Sequence, residues 1–237
     1  MKIKLSRDIT AFSLLLIIIF FPVFGYGWHN KTHLSIAKAA GYKDWFNAAG
    51  ADMMKIKAIC GNRNIEQPNH YYSNPKEKNI DAEMVLNQAE RYNDPLDKKG
   101  HLYGAIIASL REYHKVRRTG KYGEYHLSFC AHYAGDLSMP FHNTEYKGFA
   151  EKNHTKVDAV VENEVWDNRG RIRIYSITIT TEKELASEIA RIANISSKLG
   201  YKLVEEKRLL TKKEAYEQLS HSASLFKAIL NYVNLHH

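Results

Sequence analysis

The chain has 237 residues, 44% of them apolar and 25% charged, with 34 Lys and Arg against 26 Asp and Glu. That length and balance support one or two domains with a real core and exclude a collagen-like, low-complexity or multi-spanning membrane protein. Two cysteines cannot build a disulfide framework, and the unusual count is histidine, 12 residues that all lie between His29 and the C-terminus. At the start of the chain, Lys2, Lys4 and Arg7 precede ten residues, Phe12 to Phe21, that are apolar apart from Ser13 and end at Pro22. A helix needs roughly 20 residues to cross a bilayer. The shorter run, followed by the small residues Gly25 and Gly27, therefore reads as a secretory signal peptide over 1–27, cut before Trp28. An uncleaved anchor is the alternative. The expected location is outside the cell or in the periplasm. Without this segment 31 basic and 25 acidic residues remain. Their net +6 favours an anionic partner, though a solvated basic surface explains it equally well. Cys60 and Cys130 either pair in an oxidising compartment or stay as two buried thiols.

Beyond Trp28 most of the chain reads as helix. Leu34, Ile36, Ala37 and Ala40 recur at helical spacing after Asn30, and a second periodic stretch, Trp45 to Cys60, follows the break at Gly41. Helices are predicted over Asp81–Tyr92, His101–Val116, Tyr125–Leu137, Thr155–Trp166, Thr181–Leu199 and Thr211–Leu235. Thr181 with Glu184, and Thr211 with Glu214, have the spacing of a capping box. Arg171–Thr180 differs, because Ile172, Ile174, Ile177 and Ile179 alternate with Arg, Ser and Thr in a strand-like run, a short hairpin or extended loop. No repeat or linker divides the chain, so 28–237 is expected to be one all-α domain of about eight helices with one strand-like excursion.

The histidines and carboxylates form a pattern. His132 and Asp136 stand four apart on an apolar, small-residue helix, where an imidazole and a carboxylate on one face can converge on a cation. Pro140 then stops the helix, and His142 arrives just past the bend. His154 and Asp158 repeat the same spacing at the predicted start of another helix. Upstream, His33 lies five residues after Trp28, whose freed α-amine would itself be a nitrogen donor, and His70 follows Pro68 in a loop. His101, His114, His126, His221, His236 and His237 have no partner at ligand spacing and read as structural or surface residues.

From Trp28 to about Asp167 the chain resembles the zinc-dependent phospholipases C together with the three-zinc single-strand nucleases. The most specific element is His132-x3-Asp136-x5-His142. The segment His154-Thr-Lys-Val-Asp158 resembles the phospholipase branch, and the Trp-x4-His opening resembles the nuclease branch. The resemblance implies three zinc ions. His70, His132 and Asp136 would hold one, and His142, His154 and Asp158 a second. The Trp28 amine and carbonyl, His33 and a bridging Asp136 would hold the third. A further carboxylate normally completes the first set and orients the attacking water. Asp52 is the choice here, Glu66 and Asp44 compete, and Asn62 or Asn64 would be weak substitutes.

The activity so implied is zinc-dependent hydrolysis of a phosphodiester, in which a metal-bridging hydroxide attacks phosphorus in line. The expected substrate is a phospholipid, with peripheral membrane contact, or else single-stranded nucleic acid cut to 5′-mononucleotides. The glycine- and asparagine-rich stretch usual before the fourth histidine of the nucleases is replaced here by Asn143–Asn153, which favours the phospholipid. Tyr71, Tyr72, Phe141, Tyr146 and Phe149 are candidates for the cleft wall or for the core. A monomer without a stable protein partner is expected. A basic helical protein that binds anionic lipid or nucleic acid without turnover is the alternative of another class.

Overall fold

The computed structural model of the chain describes residues 28–58 and 65–235. The predicted signal peptide, Cys60, Asn62, Asn64, His236 and His237 lie outside the described residues. Within them the chain folds as one all-α domain of eight helices, and no strand occurs. The helices are α1 (Asn30–Ala39), α2 (Gly50–Ala58), α3 (Ala82–Ala89), α4 (Leu102–Arg118), α5 (Glu124–Asp136), α6 (Gly148–Asp158), α7 (Glu182–Glu206) and α8 (Lys212–Leu235). Among the described residues no helix is long and apolar enough to cross a membrane.

The small, apolar sequence of α5 puts it at the centre. From Leu127 to Asp136 every residue but Phe129 is buried, as expected of a helix enclosed on all sides, and α4, α8, α2 and α1 pack around it. The first half of α4, Leu102 to Leu110, is buried throughout, whereas Lys115, Arg117 and Arg118 are basic residues of its last turn, where the helix dipole favours positive charge. Two apolar cores result. One gathers Tyr103, Ile106, Leu137, Ile189 and Phe226, and the other gathers Trp28, Ile36, Met139, Phe141, Val157 and Leu219. Residues of α1 and of the segment leaving α5 belong to both, so their polar side chains are set between the two. Cys130 is a buried free thiol.

Both predicted capping boxes form. Thr181 accepts from the Glu184 amide while the Glu184 carboxylate returns to the Thr181 amide, and Thr211 with Glu214 does the same at 3.2 and 2.9 Å. The N-terminus of α1 is capped from far away instead. His29 offers no side-chain cap, and Glu162 accepts from the amides of Lys31 and Thr32 at 2.9 and 3.0 Å and from the Thr32 hydroxyl at 2.9 Å. Glu162→Ala removes the acceptor of the Lys31 amide and the Thr32 hydroxyl, while the Thr32 amide keeps the His29 carbonyl at 2.9 Å, and is expected to lower the unfolding free energy by about 1 kcal/mol. Urea denaturation checks this, and an unchanged midpoint would show that the cap contributes nothing.

Two predicted helices are placed differently, and α7 runs on to Glu206 rather than Leu199. The stretch Trp45–Cys60 is broken into a 3-10 turn, Trp45–Asn47, and α2, because the Ala48 carbonyl between them accepts from His132. The helix predicted over Thr155–Trp166 instead runs Gly148–Asp158, which puts His154 and Asp158 near its end rather than its start. Val157, Val161 and Val165 keep helical spacing, but the last two lie in turns such as the one closed by the Val165 amide on the Val161 carbonyl at 2.8 Å. Of the two readings of the strand-like run, the loop is the one observed: Arg171 ends a short 3-10 turn, Arg169–Arg171, and the residues from Ile172 to Thr180 form no ladder. The amides of Arg173 and Tyr175 donate to the hydroxyls of Ser220 and Ser224 on α8 at 2.9 and 2.8 Å, so helix side chains take the place of a partner strand.

Candidate metal centre

Four segments deliver the predicted residues to one buried place. His33 comes from α1, Asp52 from α2, His70 from the end of a 3-10 turn over Gln67–His70, and His132 and Asp136 from consecutive turns of α5. Beyond α5, Pro140–Asn143 forms another short turn. It is held by Asn143, which donates to the Leu137 and Met139 carbonyls at 2.9 and 2.8 Å, and it carries His142 opposite His154 of α6. The two loops are tied directly, the Tyr72 amide donating to the His142 carbonyl at 2.8 Å.

Asp136 is the hub. Its Oδ2 lies 2.8 Å from His70 Nδ1 and 3.3 Å from His132 Nε2, and its Oδ1 lies 3.4 Å from His33 Nε2 and 3.6 Å from His142 Nδ1. Each oxygen therefore faces a different pair of imidazoles. His132 donates from Nδ1 to the Ala48 carbonyl at 2.8 Å, which directs Nε2 into the cluster. Its ring stacks on that of His33, with centroids 3.7 Å apart. Gly135 permits this, since a Cβ there would lie 2.5 Å from His33 Nδ1. On the far side His154 Nδ1 lies 3.0 Å from Asp158 Oδ2, and the His154 ring stacks on His142 at 5.1 Å.

Among the three carboxylates considered for the first set, Asp52 is drawn in. Its Oδ1 is 3.5 Å from His132 Nε2 and 3.9 Å from His70 Nδ1, with Lys55 Nζ at 2.5 Å. Glu66 stands at the opposite edge of His70, 3.4 Å from Nε2, and accepts from the Tyr133 hydroxyl. Asp44 lies outside, 3.9 Å from the exposed Lys43 ammonium. Trp28 is wholly buried in the second core, its indole donating to Ser138 at 3.3 Å. Tyr72 and Phe149 pack with the cores, whereas Tyr71, Phe141 and Tyr146 line a cavity of about 340 Å³ that reaches His142 and His154.

The electrostatics ask for a cation. Asp52, Glu66, Asp136 and Asp158 converge with five imidazoles, and among the described residues Lys55 alone of the lysines and arginines is buried. Burial opposes ionisation of Asp136 and Asp52, yet His132 holds the first, and His132 with Lys55 the second, below the ordinary carboxylate range. Burial likewise opposes a charge on His132, but Asp52 and Asp136 outweigh it and raise its pKa. Burial wins at His33 and His142, which are pushed down and stay neutral, the form a metal ligand needs. Both ring nitrogens of His33 and of His142, with Asp136 Oδ1, are buried without a hydrogen-bond partner. Such orphans are costly unless something meets them.

Among the described residues three sets could hold metal ions, each bringing its ligand atoms within 4.8 Å of one another: His33, Asp52 and His132; His70, His132 and Asp136; and His142, His154 and Asp158. The last two coincide with sets read from the sequence. The first places Asp52 with His33. Lys55, Tyr133 and the Ala48 carbonyl were not read as parts of the site. Only Lys55 had a signal, its i+3 spacing from Asp52. No family model, curated protein or solved structure matches this chain.

Proposed function

We propose that the chain is a secreted, zinc-dependent phosphodiester hydrolase of the phospholipase C type, folded like those enzymes and the related nucleases. The observation that carries this reading is Asp136, a wholly buried carboxylate whose two oxygens each face a separate pair of imidazoles. A structural zinc site needs one closed set of ligands, whereas adjoining sets sharing a carboxylate suit two ions acting on one substrate. Nitrogen and carboxylate donors suit zinc. His70, His132, Asp136 and Asp52 would hold one ion, and His142, His154 and Asp158 a second. The third would take His33, Asp136 and, once the leader is cut before Trp28, the freed amine there. Bound zinc supplies a nucleophile at neutral pH and offsets the phosphate charge.

The chain's own residues do the rest. Asp52, kept ionised by His132 and Lys55, can orient the attacking water and take its proton. The cavity beside His142 and His154 takes the substrate. Tyr71, Phe141 and Tyr146 provide its apolar faces, and Lys98 on its wall attracts the anion. The same aromatic faces would stack a base, which keeps the single-strand nuclease as the second reading.

Purified protein beginning at Trp28 should contain three zinc ions and hydrolyse a chromogenic phosphocholine ester and phosphatidylcholine. Chelation should abolish turnover and zinc should restore it. A clear preference for single-stranded DNA, with release of 5′-mononucleotides, would move the assignment to the nuclease. Protein that is fully helical, metal-free and inert toward all three substrates is a binding protein, and the proposal fails.

A further inference from the structure

The short turn that carries His70 cannot fix its own geometry. It has only four residues, its first turn closed by the Asn69 amide donating to the Glu66 carbonyl at 3.0 Å, and isolated 3-10 turns are weakly held. What holds it is the start of α4. The His101 amide donates to the Pro68 carbonyl at 2.8 Å, and the Leu102 amide donates to the Tyr71 carbonyl at 3.2 Å. The joint is shaped for this approach. Gly100 has φ +75°, and a Cβ there would sit 2.1 Å from the Tyr71 carbonyl oxygen.

The side chain of His101 continues the same grip. As the residue before α4 it caps nothing, since it makes no side-chain bond to the helix amides. Its Nε2 instead lies 2.8 Å from Asn69 Oδ1. The orientation of that amide is set by its other partners. The Asn93 backbone N–H donates to Oδ1 at 3.2 Å, and Nδ2 donates to Asn93 Oδ1 at 2.8 Å and to the Tyr133 oxygen at 3.3 Å. His101 must therefore be the donor, with its Nδ1 set 3.2 Å from Asp97 Oδ2. From Asn69 the chain runs through the Tyr133 hydroxyl to Glu66, whose Oε1 faces His70 Nε2 at 3.4 Å. The opposite nitrogen of His70 is the one that meets Asp136. Asn69, His70, His101 and Tyr133 are wholly buried and Glu66 nearly so.

We infer that His101 is a positioning residue for the metal centre: through Asn69, Tyr133 and Glu66 it fixes the ring of His70 with Nδ1 toward Asp136. The inference rests on the metal-binding part of the function proposed above, and extends it to a histidine read from the sequence as structural or surface, although Asp97 stands four residues before it. Groups that orient a ligating imidazole change metal affinity about 10–100-fold when removed.

The test compares the unaltered protein with His101→Leu and His101→Gln. The glutamine keeps a donor for Asn69, and the leucine does not. Zinc is titrated against a chromophoric chelator while circular dichroism follows the fold. The leucine variant should keep its helicity without metal and lose about 10–100-fold in affinity for one ion, and the glutamine should recover most of that loss. If the leucine variant does not fold, Asn69→Ser breaks the same link while leaving His101 with Asp97, and should show the same loss. Equal zinc affinity in a folded leucine or serine variant overturns the inference and leaves the metal centre standing, as does a glutamine variant no better than the leucine. An unaltered protein that binds no zinc removes the proposed function and the inference together.

Discussion

Asp136→Asn is expected to empty the centre of most of its metal, leaving at most the ion held by His142, His154 and Asp158. The substitution keeps the shape of the side chain and removes the charge that faces His33, His70, His132 and His142. Leaving a buried charge without its partner costs about 3–5 kcal/mol, which at 1.4 kcal/mol per decade is roughly 10²–10⁴ in affinity. His33→Ala touches one set of ligands and should cost less. Elemental analysis after dialysis and chelator competition rank the two. Equal effects would mean that the two oxygens of Asp136 do not serve separate ions.

Gly135→Ala has the next largest expected effect, and its sign is informative. In an ordinary helix interior, alanine in place of glycine stabilises by about 0.8–1 kcal/mol. Here the new methyl would stand 2.5 Å from His33 Nδ1 and 2.9 Å from Cε1, and the His33 ring is already stacked on His132. Overpacking of this kind costs about 1–3 kcal/mol. The variant should therefore melt lower and should lose the ion that uses His33 while keeping the other two. A variant that is stabilised and binds metal like the parent would show that His33 has room to move.

The residues that could hold metal were legible because metal chemistry constrains residue type and spacing together. His132 with Asp136, and His154 with Asp158, announce themselves by i, i+4 pairing, and Pro140 marks the bend that brings in His142. The groups that orient these ligands were not legible. A backbone carbonyl such as that of Ala48 carries no residue signal, Tyr133 reads as core, and His101 reads as a helix-start residue. Asp52 could be chosen from the sequence but not placed, because its distance from His132 depends on how α2 crosses α5. The helix count came through intact, since capping boxes and apolar periodicity are local. The end of α6 did not, because valines at helical spacing fit a succession of turns equally well.

The extended segment after Arg171 bears on a different property, the protein's behaviour at high concentration. Its isoleucines and threonines are the composition that seeds edge-to-edge association when a strand offers unpaired amides. In this fold the amides of Arg173 and Tyr175 are engaged by Ser220 and Ser224, and Ile172 and Ile179 are turned into the cores. The helix hydroxyls thus occupy two donors that the edge of a second chain would otherwise find. Removing them would free those two amides in a run whose Ile174 and Tyr175 already reach solvent.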